Sequence, residues 1–326
     1  MKAIAARIGQ ALGLILAVIV LNFLLIQIAP GDAATAIAGD QSASDPEVIA
    51  EIRAQYGLDK PLIVQLGTYI GQVLQGDLGQ SIWFDEPVSG LLLDRVGPTV
   101  LLSAAALTFA VVFGVTFGTI AARRPDSLLS HAVTVLALVG YAMPAFWTGL
   151  LLLILVGVNF SFFPVSGMHD ISFNGNWWES WLDAGQHLIL PALTLGIIYL
   201  AQYSRLSRAS MLEVLESDYI RTARAKGLSE RSVIFKHGLR NGVLPVVTIL
   251  GLQFGAVLSG AILVESVFAW PGLGRLAFEA VTRRDTPVLL GVLLLVSVSV
   301  ILANLVTDLV YRIIDPRIRV SGARND

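Results

Sequence analysis

A chain of 326 residues has room for roughly two or three soluble domains, yet 55% of it is hydrophobic, 14% is charged and its mean hydropathy is +0.73. That composition excludes an ordinary water-soluble fold and is the composition of a polytopic membrane protein. The net charge of −2 gives no ground for nucleic-acid binding, and the lack of cysteine removes disulfides, thiolate nucleophiles and cysteine metal ligands.

Six apolar runs reach the roughly 20 residues needed to cross a hydrocarbon core of about 30 Å. They cover about 8–29, 98–122, 132–158, 187–206, 244–264 and 288–311. With the N-terminus inside, sixteen of the 22 Lys and Arg fall on the cytoplasmic side, eight of them between Arg205 and Arg240. The positive-inside rule therefore places both termini in the cytoplasm. The first run is preceded by Lys2 and Arg7 and followed by the small-residue stretch Ala34-Thr35-Ala36, as a signal peptide would be. Its apolar core is longer than the roughly 7 to 15 residues of a signal sequence, so it reads as an anchor.

Between the first two runs, residues 30–97 carry ten Asp and Glu against three Lys and Arg. Asp45-Pro46 opens a helix with the stripe Val48, Ile49, Ile52 and Tyr56, stopped by Gly57. Pro61 opens another, with Leu62, Leu66, Tyr69, Ile70 and Val73 on one face before Gly76-Asp77. The region is short for a core of its own. Either it packs on the outer ends of the spans or on a partner subunit, or it is a solvated acidic loop.

The outer loop 159–186 has Trp177, Trp178 and Trp181 and no Lys or Arg. Indoles favour the headgroup region, so an interfacial belt is the plain reading, with substrate contact as the alternative. Beyond the fifth span, "SVFAWPGLGRLAFEAVTRRD" returns after a Pro-Gly turn as a short interfacial helix interrupted by Arg275 and Glu279.

Catalytic patterns do not accompany this architecture. There is no Walker A loop, since Gly272-Leu273-Gly274 lacks the Lys and follows a Pro turn. His131, His169, His187 and His237 are scattered, with no HExxH pair to bind a metal. The chain is not expected to hydrolyse ATP. Asp308 shares a helical face with Asn304 and Thr307 close to the inner end of the last span, where it can reach water, and reads as structural. Gln253 lies nearer mid-membrane and either lines a pathway or bonds a neighbouring helix. Tyr141 and Tyr199 are further pathway residues by position alone. Gly114 with Gly118, and Gly251 with Gly255 and Ser259, form small-residue faces suited to close helix packing. Pro144 should distort the third span and free a carbonyl.

The cytoplasmic stretch "DYIRTARAKGLSERSVIFKHGLRNGVLP" reads as a helix, a break and a helix. Asp218 is placed to cap a helix over Tyr219 to Gly227, with Gly227 in the left-handed position. Ser229 and Glu230 open a second helix that ends near Asn241-Gly242. A helix of about nine residues spans about 13 Å and is marginal alone. On one reading its basic residues hold the loop inside and touch anionic lipid. On the other, the small face Tyr219, Thr222, Ala223 and Lys226 enters a groove on another protein, with Arg221 and Arg224 at the rim.

These residues resemble the EAA loop of binding-protein-dependent ABC importer permeases. Arg221-Thr222-Ala223 stands where that loop has Glu-Ala-Ala, Gly227 follows at the expected distance, and Leu244-Pro245 ends it. The Arg and the longer Gly-to-Pro spacing match the dipeptide, oligopeptide and nickel branch, whose usual form is "RTARAKGLSE". "PGD" at 30–32, "YGLDKPLIVQ" at 56–65, "GDLGQS" at 76–81, "HLILPALTL" at 187–195, "SRASMLEVL" at 207–215 and "ESVFAWPGLGRL" at 265–276 are similar to its first, B-type permease subunit.

The resemblance implies an all-α polytopic protein with the type I importer fold and six transmembrane helices. The domains would be the first helix (1–29), a helical extracytoplasmic subdomain (30–97), the transmembrane domain (98–312) with coupling loop 207–243, and a tail (313–326). The implied setting is the bacterial inner membrane, alongside a second permease, two ATPase subunits and an extracytoplasmic solute-binding protein. ATP and Mg would bind the ATPases, leaving this chain without a cofactor. The coupling helix would comprise Asp218, Tyr219, Ile220, Arg221, Thr222, Ala223, Arg224, Ala225, Lys226, Gly227, Leu228, Ser229 and Glu230. Bound solute would cross by alternating access, whereas an ion-driven secondary transporter, the competing reading, calls for midplane charges and repeat symmetry not evident here.

Overall fold

A computed structural model describes residues 2–28, 46–56, 60–81, 83–160, 162–170, 175–250, 253 and 261–314, without the side chains of 2–5, 52, 55, 56 and 308–314. Among the described residues the regular structure is helical, joined by turns and short irregular stretches, with one isolated bridge between Gln80 and Pro87. Among the described residues, four helices are long and apolar enough to span a membrane, and two bent helix pairs raise the number to six if each pair is one span. The runs at about 8–29, 98–122, 132–158, 187–206 and 288–311 fall on helical segments, and of the run at 244–264 the described residues are 244–250, 253 and 261–264. The stretches around Pro30–Asp32, Ala34–Ala36 and Gly251, Gly255 and Ser259 lie outside the described residues.

The chain clusters into two units. In the first, α1 (Lys2–Ile28), α2 (Pro46–Tyr56) and α3 (Leu62–Leu74) precede a turn that leads into α4 (Val88–Arg123). The same unit holds the last two helices, α12 (Leu273–Arg283) and α13 (Thr286–Ile314). Its core joins Val88, Leu91 and Leu92 to Leu273, Leu276, Ala280, Val288 and Val292. Two buried polar contacts fix it: Asn22 donates to the Leu290 carbonyl at 3.0 Å, and Ser81 donates to Asp285 at 2.5 Å.

Helix α3 packs on a span with Leu66, Tyr69, Ile70 and Val73 of its apolar face half-buried, and it turns a polar residue inward beside them. Gln65 is its buried residue, Gln27 donates to Gln65 at 2.7 Å, and Tyr69 meets the ring of Phe23. Of the predicted face only Leu62 is exposed, along with Ile63, Val64 and Leu74 outside it. Buried amides need partners, and Gln65 has them in Gln27 and the Lys60 carbonyl, so the polar face can turn inward.

The second unit holds α4 from Val100, then α5 (Leu128–Ala142), α6 (Ala145–Leu152, continued by the wider turn Leu153–Gly157) and α7 (Trp177–Leu215). After these come α8 (Asp218–Ala225), α9 (Glu230–Gly242), α10 (Leu244–Leu250) and α11 (Ile262–Val267). Pro144 does more than distort the third span: α5 and α6 meet at 108°. Proline lacks the amide that would continue the ladder, and it follows Met143 in extended geometry.

The helices of the second and fourth apolar runs, α4 and α7, extend further toward the N-terminus than those runs. Helix α4 begins at Val88 rather than near 98, and α7 begins at Trp177 rather than near 187. Asn176 and Glu179 close a reciprocal capping box at the start of α7, which places the three exposed tryptophans in its opening turns rather than in a loop. Gly114 and Gly118 bring α4 against α7: a Cβ on Gly118 would lie 2.5 Å from the Ser204 carbonyl oxygen. That is the close backbone approach expected of a small-residue face.

Candidate coupling site and pathway residues

Helix α7 ends at Leu215, and the chain turns through Glu216 and Ser217 into α8. Ser217, not Asp218, holds the capping position, and its hydroxyl donates back to the Val214 carbonyl at 2.5 Å. Asp218 is the first helical residue, where its carboxylate suits the helix dipole. The helix stops at Ala225 rather than Gly227. Lys226 follows as the cap, and Gly227 takes φ +77°, the left-handed geometry that glycine adopts without steric cost.

Two side chains anchor this short helix. Ile220 and Ala223, three apart on one face, are buried against Val214, Leu215 and Val233. Ala223 therefore points into the chain's own core and is not part of an outward small face, which corrects the sequence expectation. The reason is non-local: Val233 arrives from α9, after the break. Burying an Ile side chain is worth about 1.5–3 kcal/mol, enough to hold a helix that is marginal alone.

Polar straps complete the attachment. Arg224 folds back to Glu230 with Nη2–Oε1 at 2.7 Å and Nε–Oε2 at 3.2 Å, and also donates to the Leu215 carbonyl at 3.4 Å. Arg224 thus braces the loop instead of standing at a rim. Its fork holds the Glu230 carboxyl below the ordinary carboxylate range, with Arg123 adding to the effect. The same hydrogen bond raises the Arg224 guanidinium. At the other end, Asn241 donates to the Tyr219 hydroxyl at 2.8 Å. Ser229 caps α9 through the amide of Ser232, as its sequence position indicates.

What remains outward is Arg221, Thr222, Ala225, Lys226 and Leu228. Arg221 is 70% exposed and reaches only Asp218, itself 98% exposed, at 3.5 Å. Such a pair contributes little and is free to exchange partners. The site is therefore a clamped helix about 12 Å long with an open, basic outer face.

The three pathway residues do not form one cluster. The side chains of Tyr199 and Gln253 are hydrogen-bonded to each other. Tyr141 lies elsewhere, in the last turn of α5, with the guanidinium of Arg205 4.6 Å from its ring centroid. Thr307 is buried and donates to the Ala303 carbonyl, Asn304 is exposed, and the Asp308 side chain is outside the described residues. Among the described residues, no group of three or more His, Asp or Glu is placed to hold a metal ion.

Residues 114–320 match the family of binding-protein-dependent transport system inner membrane components, and residues 1–103 match the N-terminal region of that family. The chain is 44% identical to the di/tripeptide transport system permease protein of Pseudomonas aeruginosa over 97% of this chain and 98% of that protein. It is equally identical, with the same coverage, to the dipeptide transport system permease protein of Escherichia coli. Identity to the glutathione transport system permease protein of Salmonella paratyphi A is 46%, over 95% of this chain and 97% of that one.

Among solved structures, the crystal structure of an amino acid ABC transporter with histidines aligns with TM-score 0.51 at 17% identity. It covers 69% of this chain and 94% of that chain, and supports the fold alone. With two family models spanning nearly its whole length and relatives at this identity, the chain belongs to the binding-protein-dependent transport system inner membrane components, the permeases of ABC importers.

Proposed function

We propose that the chain is one of two permease subunits of an ATP-driven importer that carries a small peptide, or a molecule built like one, into the cytoplasm. The relatives' substrates, di- and tripeptides and glutathione, support the substrate class. Two ATPase subunits would bind ATP and Mg, and an extracytoplasmic binding protein would deliver the solute. The distribution of Lys and Arg supports cytoplasmic termini.

One observation carries the coupling assignment. Asp218–Ala225 is a separate short helix, anchored to its own chain by Ile220, Ala223 and Arg224, whose other face lies open. Such an element can transmit a push: its anchors tie it to α7 and α9, and its open face can seat in an ATPase cleft. Bending at Pro144 supplies a discontinuous span of the kind that lines substrate paths.

The experiment is reconstitution of the complete transporter in vesicles, with uptake of a labelled dipeptide followed with and without ATP. ATP-dependent, binding-protein-dependent uptake is expected. Uptake by the permeases alone, without ATPase subunits, would refute the reading.

A further inference from the structure

Helix α7 carries two arginines one turn apart, and they go to opposite ends of α5. Arg208 donates from Nε to the Ser130 hydroxyl at 3.2 Å, in the first turn of α5. Arg205 sets its guanidinium over Tyr141, in the last turn, 4.6 Å from the ring centroid. Ser130 and Tyr141 are separated by about 16 Å of helix at 1.5 Å per residue.

Direction accounts for the reach of Arg205. Helical side chains lean toward their helix's N-terminus, and in the proposed orientation the N-terminus of α7 is outside. Arg205 therefore reaches inward from the cytoplasmic end, toward the membrane interior. An arginine facing lipid near that end would snorkel the other way, to the headgroups. Arg205 instead lies on an aromatic platform, where cation–π attraction fixes the plane of its fork.

No carboxylate among the described residues pairs with Arg205, and both it and Tyr141, 56% exposed, are open to their surroundings. A cation at the inner end of a span, turned toward the membrane and without a protein counter-charge, belongs beside water or an anion. Tyr141 also lies just before the Met143–Pro144 break, and broken spans at membrane depth are found where they line a cavity.

From this geometry we propose that Arg205, held by Tyr141, is a station for the substrate's carboxylate near the cytoplasmic end of the pathway. The inference rests on the peptide-importer reading above. A peptide ends in a carboxylate, and a guanidinium can bind one with two parallel hydrogen bonds in a way an ammonium cannot. Arg205 is then a specificity-determining residue, and Tyr141 a positioning residue that keeps its fork turned into the path.

The test uses the complete transporter in vesicles and reads uptake of a labelled dipeptide per ATP hydrolysed. Arg205→Gln is expected to lower that ratio at least tenfold while binding-protein-stimulated ATP hydrolysis stays within twofold of wild type. Arg205→Lys is expected to recover part of it, and Tyr141→Leu to give an intermediate loss. A wild-type ratio in Arg205→Gln overturns the proposal. So does a defect seen only in vesicles containing phosphatidylglycerol and absent in phosphatidylcholine alone, which would identify the anion as a lipid headgroup. Failure of both Arg205 variants to co-purify with the second permease would make Arg205 an interface residue and equally overturn it. If the wild-type transporter itself moves no peptide, it is the importer reading that fails, and the two failures are distinct.

Discussion

Ile220→Ala should release the coupling helix while leaving the spans intact. Ile220 is fully buried, and it and Ala223 are the two core contacts through which Asp218–Ala225 meets Val214, Leu215 and Val233. Truncating a buried Ile to Ala costs about 2–5 kcal/mol, and this helix is too short to persist undocked. Taking about 2–4 kcal/mol, and a tenfold change per 1.4 kcal/mol, the undocked population rises about 30- to 700-fold. Hydrogen exchange reads that directly: amides of residues 221–226 should exchange faster by at least about 30-fold, while those in the middle of α7 stay at the wild-type rate. In the reconstituted transporter, binding-protein-stimulated ATP hydrolysis should fall with them. Exchange within threefold of wild type at residues 221–226 would refute the claim that Ile220 anchors the helix. Ala225→Ser, on the exposed face, serves as the control and should leave exchange unchanged.

Gly118→Ala places a Cβ 2.5 Å from the Ser204 backbone carbonyl, an atom that cannot swing aside, and should destabilise the fold by about 1–3 kcal/mol. Thermal unfolding in detergent should show the loss, whereas Gly9→Ala, with nothing within 4 Å, should be neutral or slightly stabilising; equal melting of Gly118→Ala and wild type would refute the packing account. The Arg224–Glu230 strap should depend on pH in one direction. The folded-state carboxyl lies below its unfolded value of about 4.3, so the strap's contribution is full above that pH and is lost as pH falls through the depressed pKa. Both partners are more than two-fifths exposed, so a double-mutant cycle on exchange protection at pH 7 should give no more than about 1 kcal/mol. Glu230→Gln should abolish the acid-side change, and an undiminished pH dependence in that variant would assign it to another group.

Local chemistry made much of this legible in the sequence. Five of the six apolar runs, the left-handed Gly227, the Ser229 cap, the Gly114–Gly118 face and the interruption at Pro144 each follow from short-range rules, and the described residues contain them. Helix ends were harder because hydropathy marks where apolar residues stop, and a helix can continue through polar turns. The Asn176…Glu179 pair was the available signal for α7, since it is a capping box. Which face of α8 turns inward was not readable: Ile220 and Ala223 find Val233 only after the chain reverses at Gly227. The inward turn of Gln65 likewise depended on Gln27, 38 positions earlier in the chain.

The same non-local fold divides the labour between two arginines that look alike in sequence. Arg224 is committed, spanning the break to Glu230 and the end of α7, so any motion of α8 is passed to the elements on both sides. Arg221 is uncommitted, because an i, i+3 contact with a nearly fully exposed Asp218 costs little to break. A coupling element needs both properties, rigid attachment to its own chain and a surface that can change partners during a cycle. On that ground Arg221, with Thr222, Ala225 and Lys226 beside it, is the part of the helix that meets the ATPase in the proposed complex. Ala223 acts one step behind as packing, and a charge introduced there would undock the helix before it could disturb any contact with another subunit.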